Sequence, residues 1–286
     1  MAAFQIIRAE HAGACYGVQR AIDMAYGAAD QADESVCTLG QLIHNPGVVA
    51  DLEARGISVA ATPADVTTDG VVIRSHGIMP ETLHELEAMD LDIIDATCPY
   101  VKRAQQHAVK LAQAGNHVLV VGEAGHPEVD AIAAYAREAG GQCTIVAGKD
   151  DIPADLHDPV GVVVQTTQPQ SKLVEVVDEL QARGLTPEVK DTICFATQER
   201  QQAASALAST VDAMVVLGGR NSSNTTRLYE ICCEHCTNVH HIETVDELDP
   251  AWFAGCERVG VSAGASTPED QIAALEARLA QIADMA

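Results

Sequence analysis

The 286 residues carry 17 Lys and Arg against 41 Asp and Glu, a formal net charge of −24. That balance excludes a general nucleic-acid binder, which needs a basic face for the phosphates, and it disfavours an anionic membrane surface, which recruits Lys and Arg. Three Phe, one Trp and five Tyr are too few for a base-stacking platform, while 47% hydrophobic and 20% charged residues are the proportions of a globular chain.

The first ten residues, MAAFQIIRAE, have neither the basic start nor the apolar core of a signal peptide. No apolar run approaches the ~20 residues of a spanning helix, so a cytoplasmic protein is expected. In chain order, hydrophobic periodicity predicts a helix over 17–29, a strand over 69–74, a helix over 80–89, a strand over 91–94 and a helix over 100–114. Strands over 117–121 and 160–164 and helices over 170–183 and 197–209 follow. Strands over 213–217 and 258–262 and a helix over 268–283 complete the series. Such alternation predicts an α/β fold with parallel-rich sheets.

The chain has nine cysteines, at 15, 37, 98, 143, 194, 232, 233, 236 and 256. In a reducing compartment these are thiols, metal ligands or nucleophiles rather than a disulfide frame. Cys15, Cys98 and Cys194 each follow a strand-like run and open a helical one. The segments DATCPYVKRAQQ (95–106) and DTICFATQERQQ (191–202) match further, with Asp three residues before the Cys and Gln-Gln seven and eight after it. His44, His126 and Ser222 lie 29, 28 and 28 residues beyond these cysteines, each in a polar loop. His76, Thr166 and Ser266 lie in the next polar loops. The chain thus reads Cys loop, polar loop, polar loop, three times over, a period of ~90 residues that suits a small domain rather than a solenoid. The expected domains are 17–98, 99–194, and 195–286 together with 1–16. Ligands of parallel α/β sheets sit beyond the carboxyl ends of the strands, so three such domains about a pseudo-threefold axis would aim all nine loops at one centre.

Three thiolates with no fourth sulfur partner suit an iron–sulfur cluster with one iron left open. A three-cysteine zinc site and plain buried thiols are the alternatives. His44, His76, His126, Thr166, Ser222, Ser223, Asn224 and Ser266 are donors at helix starts, where backbone amides and the helix dipole favour an anion such as a diphosphate. Each Ser or Thr taken singly is also a plausible N-cap; the repetition favours the anion site. Glu128, in GHPEV, is either a proton carrier in a dry pocket or a first-turn complement to the helix dipole.

The motifs AGACYGVQRA, HNPGVV, IRSHG, DATCPYV, GHPEV, QTTQ, DTICFATQERQ, RNSSNTTRL and SAGAS occur in order from 12 to 266. Together they resemble the 4-hydroxy-3-methylbut-2-enyl diphosphate reductase family (IspH/LytB). The resemblance implies three α/β domains in a trefoil around one 4Fe–4S cluster held by Cys15, Cys98 and Cys194. It implies that His44, His76, His126, Thr166, Ser222, Ser223, Asn224 and Ser266 bind the allylic diphosphate, and that Glu128 lies in the proton relay with Thr166 nearby. The implied reaction is a two-electron reductive dehydroxylation to isopentenyl and dimethylallyl diphosphate, with a ferredoxin or flavodoxin as electron donor. A quinolinate-synthase-like lyase and a non-catalytic redox sensor are the competing classes. The first would favour Arg-rich recognition, and the second an exposed cluster.

Other patterns carry less. Cys232, Cys233 and Cys236 in EICCEHC fall on a helical run, where thiols more often fill an apolar face. Gly260–Gly264 spells a nucleophile elbow, but no His follows it.

Overall fold

The computed structural model describes residues 4–30 and 35–285. Residues 1–3 and 286 of the third expected domain and 31–34 of the first lie outside this range. The chain divides into two compact units. One is built from Met1–Val18, His44–Val49 and Phe195–Ala286, and the other from Gln19–Ile43 and Ala50–Cys194.

The larger unit holds two four-stranded sheets, all parallel. In the first, β2 (Val36–Leu39) lies between β3 (Ser58–Ala60) and β4 (Gly70–Ile73), and β5 (Asp92–Asp95) flanks β4. In the second, β6 (His117–Val121) lies between β7 (Cys143–Val146) and β8 (Val160–Val164), with β9 (Glu188–Lys190) outside β8. The smaller unit repeats this order. There β10 (Ala213–Leu217) lies between β11 (Val239–Ile242) and β12 (Arg258–Ala263), and the outer strand beside β12 is β1 (Gln5–Arg8), from the other end of the chain.

The central strands read as unbroken apolar runs. VLVV in β6, VGVVV in β8 and AMVVL in β10 are buried at nearly every position, as strands covered on both faces must be. Helices supply the cover: α1 (Tyr16–Asp30), α2 (Pro46–Ala54), α3 (Pro80–Glu87), α4 (Pro99–Gln113), α5 (Pro127–Glu138), α6 (Gln170–Ala182), α7 (Phe195–Ala208), α8 (Ser223–His235) and α9 (Glu269–Met285). In the second sheet, Ala104, Ala108 and Leu111 of α4 and Val129, Ile132 and Ala136 of α5 cover Val118, Val120 and Val163 on one face. Leu173, Val176 and Leu180 of α6 cover Leu119, Val162 and Val164 on the other. Proline opens α2, α3, α4 and α5, where its missing N–H has no intrahelical acceptor to lose.

The six expected strands and six expected helices are present. The strands left out were β1, β2, β3, β7, β9 and β11, and the helices were α2, α5 and α8. All but β2 of those strands lie at a sheet edge, with as few as three residues, and several carry polar side chains, as in EVK of β9 and VHHI of β11. Edge strands need no continuous apolar run. No described helix is long and apolar enough to cross a membrane.

Candidate active site

Strand order accounts for the threefold reading of the loops. Cys15, Cys98 and Cys194 follow β1, β5 and β9, the outer strands that occupy the same place in the three sheets. His44, His126 and Ser222 follow β2, β6 and β10, and His76, Thr166 and Ser266 lie beyond β4, β8 and β12. Every one of these residues therefore sits beyond the carboxyl end of a parallel strand.

In the larger unit these loops form one connected chain of contacts. Cys98 immediately precedes α4, and its N–H donates to Ser75 O at 2.9 Å, beside His76. The rings of His76 and His126 meet edge to face with centroids 5.6 Å apart. His126 N-caps α5 by accepting the Glu128 N–H on Nδ1 at 3.2 Å, which leaves the ring proton of the neutral form on Nε2. Burial holds the His126 imidazole below its ordinary pKa, against the nearby Glu123 carboxylate.

Glu128 is 2% exposed. Its Oε1 accepts the Thr166 N–H at 2.6 Å and its Oε2 accepts the Thr166 hydroxyl at 2.8 Å. Removal from water pushes its pKa up to about 7, although the two Thr166 hydrogen bonds pull the other way. Thr166 O in turn accepts the Cys194 N–H at 2.9 Å, which closes the chain from one cysteine loop to the other.

The DATC and DTIC loops share one local device. Asp95 accepts the Thr97 N–H at 2.9 Å, and Asp191 accepts the Ile193 N–H at 3.1 Å. These Asx turns fix the bend before each cysteine. The Asp-to-Cys spacing seen in the sequence is thus a turn signal and not a metal-ligand signal.

The smaller unit has its own chain. The Cys15 N–H donates to Ala265 O at 3.1 Å, and the hydroxyl of the adjacent Ser266 donates to His44 O at 3.1 Å. Asn221 Nδ2 lies 3.5 Å from His44 Nδ1. Ser222 N-caps α8, and Ser223 and Asn224 form its first turn. Asn224 is 4% exposed, and neither its Oδ1 nor its Nδ2 has a hydrogen-bond partner. A buried amide with both ends unmatched is costly unless something arrives to bind it.

The Cys15 loop depends on Gly13, whose φ is +91° and whose carbonyl accepts Nε and Nη2 of buried Arg200 at 2.9 and 2.8 Å. A Cβ there would lie 2.6 Å from Ile272 Cδ1 and 3.2 Å from Thr267 O. Gly13→Ala is expected to cost about 1–3 kcal/mol from the left-handed backbone and the clash, read as a drop in Tm.

Three supporting residues were missed by sequence reasoning. Asn45 accepts the Val48 N–H at 3.1 Å and donates to Ser266 O at 2.9 Å. Gln165 accepts the Glu123 N–H at 3.1 Å and Gln168 Nε2 at 3.0 Å. Arg74 donates Nε–H to Gly77 O at 3.2 Å. Each adjoins or lies near a selected residue inside HNPG, QTTQ or IRSHG, and that adjacency was the available signal.

The other cysteines have different surroundings. Cys37, Cys232, Cys236 and Cys256 lie in hydrophobic clusters, and burial pushes the Cys232 thiol up to about 12 and that of Cys143 up to about 11. Cys233 is exposed. Only Cys15, Cys98 and Cys194 are half-buried thiols directly ahead of a helix at a strand's carboxyl end. Ser262 is fully buried within β12, which removes it as an exposed nucleophile.

Fold and loops together define a parallel three-sheet α/β protein with a cysteine and two polar loops at the carboxyl edge of each sheet. The family model for the LytB protein matches residues 6–280, and the chain belongs to the LytB family. It is 46% identical to the 4-hydroxy-3-methylbut-2-enyl diphosphate reductase of Trichlorobacter lovleyi, over 97% of this chain and 98% of the relative. It is 44% identical to that of Geobacter metallireducens, over 93% of each. A solved structure of (E)-4-hydroxy-3-methyl-but-2-enyl diphosphate reductase, described as the terminal enzyme of the non-mevalonate pathway, superposes with a TM-score of 0.72 at 43% identity, covering 96% of this chain and 99% of the other. The Plasmodium falciparum E-1-hydroxy-2-methyl-but-2-enyl-4-diphosphate reductase, at 24% identity, shares the fold with a TM-score of 0.88 over 97% and 88% of the two chains. Membership implies a metal cofactor. Soft thiol donors without short Cys spacing suit iron–sulfur better than a closed zinc site.

Proposed function

We propose that the chain catalyses reductive dehydroxylation of (E)-4-hydroxy-3-methylbut-2-enyl diphosphate to isopentenyl and dimethylallyl diphosphate. Two electrons and two protons enter, the allylic C–O bond breaks, and water leaves. In this reading Cys15, Cys98 and Cys194 hold a 4Fe–4S cluster, within three α/β domains (17–98, 99–194, and 195–286 with 1–16) of a cytoplasmic enzyme. When bound, the cluster supplies electrons and Lewis acidity. The donor is a ferredoxin or flavodoxin.

The observation that carries this reading is the Glu128–Thr166 pair. A carboxyl whose pKa is about 7 is half-protonated near neutrality, as a general acid should be. Its outlet is the Thr166 hydroxyl at 2.8 Å. When Glu128 is ionised, Thr166 donates to it. When Glu128 is protonated, the bond reverses, and the Thr166 proton is available to a leaving hydroxyl. In this reading that leaving group is the allylic hydroxyl. The diphosphate would be gripped by His44, His76, His126, Ser222, Ser223, Asn224 and Ser266, with Thr166 toward the reacting end. These lie at helix starts whose amides and dipoles favour an anion. The decisive experiment is anaerobic turnover of the allylic diphosphate with a chemical reductant.

Asn224 supplies a sharper test of substrate binding. Its unmatched amide implies a missing polar partner. Asn224→Ala is expected to raise the KM for the diphosphate about tenfold or more, since a hydrogen bond to a charged group contributes roughly 1.5–3 kcal/mol. The ligand-free Tm should hold or rise, because no buried amide is left unbonded. An unchanged KM would remove Asn224 from the substrate site.

A further inference from the structure

The described α-helices carry acidic residues with one exception. Among the nine described α-helices, α4 alone contains no Asp or Glu, and it carries Lys102, Arg103, His107 and Lys110. Residues 103, 107 and 110 stand at i, i+4 and i+7, so they form one stripe along the helix. Arg103 and Lys110 are exposed, and neither enters an ion pair among the described residues. The Arg103 guanidinium lies 5.4 Å from the centre of the Tyr100 ring, which holds it near the start of the helix. Burial, joined by the charges of Lys190, Arg103 and Lys110, holds the His107 imidazole below its ordinary pKa, so His107 is a neutral member of a stripe that continues onto β9. The acidic groups beside it are engaged. Asp95 pairs with Lys102, Glu188 pairs with Lys190 at 2.8 Å, and Asp191 accepts its own loop's Ile193 N–H.

Along the chain, the stripe begins just after one cysteine loop of the larger unit and ends just before the other. It starts about 8 Å along the helix axis from Cys98, at 1.5 Å per residue, and Lys190 precedes Cys194 by four residues. We propose that the Arg103–His107–Lys110 stripe, continued by Lys190, is the docking surface for an acidic one-electron carrier protein. The inference rests on the reductase reading, in which each turnover oxidises two reduced carriers by one electron each and passes the pair to the allylic C–O bond. On a chain of net charge −24, most of the surface repels such a carrier. The cations Arg103 and Lys110, unpaired among the described residues and beside acids already matched by Lys102 and Lys190, steer it by contrast, and do so where electrons must arrive.

The test compares two reductants on the holoenzyme. Turnover of the allylic diphosphate is driven by a reduced acidic plant-type ferredoxin, or by dithionite with methyl viologen, which needs no protein docking. For the double variant Arg103→Glu, Lys110→Glu, the KM for ferredoxin is expected to rise about tenfold or more at low ionic strength and to lose most of its salt dependence. Viologen-driven turnover should stay at the wild-type rate. Arg278→Glu, a charge reversal on α9, should change neither. An unchanged ferredoxin KM in the double variant overturns the proposal. So does an equal loss with both reductants, or an equal rise in KM for Arg278→Glu, which would reduce the effect to net charge. Wild-type protein that shows no viologen-driven turnover would refute the reductase reading itself, a different result from any of these.

Discussion

Cys98→Ser is expected to strip the visible absorbance of the cluster, drop iron well below about 4 atoms per chain, and abolish turnover. The substitution is nearly isosteric, but it replaces a soft thiolate with a hydroxyl that iron–sulfur clusters rarely accept. Its effect on the fold should be small. The backbone N–H of residue 98 bonds Ser75 O regardless of the side chain, and Ser is itself a favoured residue ahead of a helix. A soluble protein of unchanged Tm in the metal-free state, without a cluster, therefore reports ligation and not unfolding. Cys233→Ser, on an exposed thiol of α8, is the control and should load iron normally. Full iron content in Cys98→Ser would remove that residue from the ligand set.

The second large effect concerns Glu128. Glu128→Gln keeps an oxygen to accept the Thr166 N–H and an amide to face its hydroxyl, so the loop geometry of the pair survives. What is lost is a titrating proton. The kcat should fall about 100- to 10,000-fold, as removal of a general acid does, while the KM for the diphosphate moves little. Wild-type turnover in this variant would end the relay assignment.

The same substitution has a thermodynamic signature with a definite sign. Folding raises the Glu128 pKa from 4.5 to about 7, so the native state binds this proton more tightly than the unfolded chain. The penalty for ionising Glu128 is absent below pH ~4.5, grows through the interval, and is complete above pH ~7. At 1.36 kcal/mol per unit, its ceiling is about 3 kcal/mol. Glu128→Gln carries no such penalty. Its Tm relative to wild type should therefore climb between pH ~4.5 and pH ~8, and a flat difference would contradict the desolvated carboxyl.

Legibility in the sequence followed physical cause. The buried central strands announced themselves because a strand covered on both faces must be apolar throughout, as in VGVVV of β8. β9, with EVK, lies at an edge and had no such requirement. The polar loops were readable because helix starts restrict residue type and because the same pattern recurs three times. That Glu128 and Thr166 form a hydrogen-bonded pair was not readable. The two are 38 residues apart, and only the adjacency of β6 and β8 brings their loops together. The resemblance named both residues; the geometry adds why a carboxyl in that place holds its proton near neutrality. Asn45 and Gln165 were overlooked for a related reason. Each is tied to a backbone group of another loop, Asn45 to Ser266 O and Gln165 to the Glu123 N–H, and a backbone partner leaves no trace in residue identity.

One pairing bears on how this chain is made. β1 spans Gln5–Arg8, yet its only partner among the described residues is β12 at Arg258–Ala263. During vectorial synthesis the segment bearing Cys15 leaves the ribosome about 250 residues ahead of the strand it pairs with. At roughly 5–20 residues per second that delay is on the order of tens of seconds, during which both sheets of the larger unit have already emerged. The Cys15 thiol reaches its folded setting only once β12 has emerged, so the proposed three-cysteine centre is loaded after both sheets of the larger unit have been made.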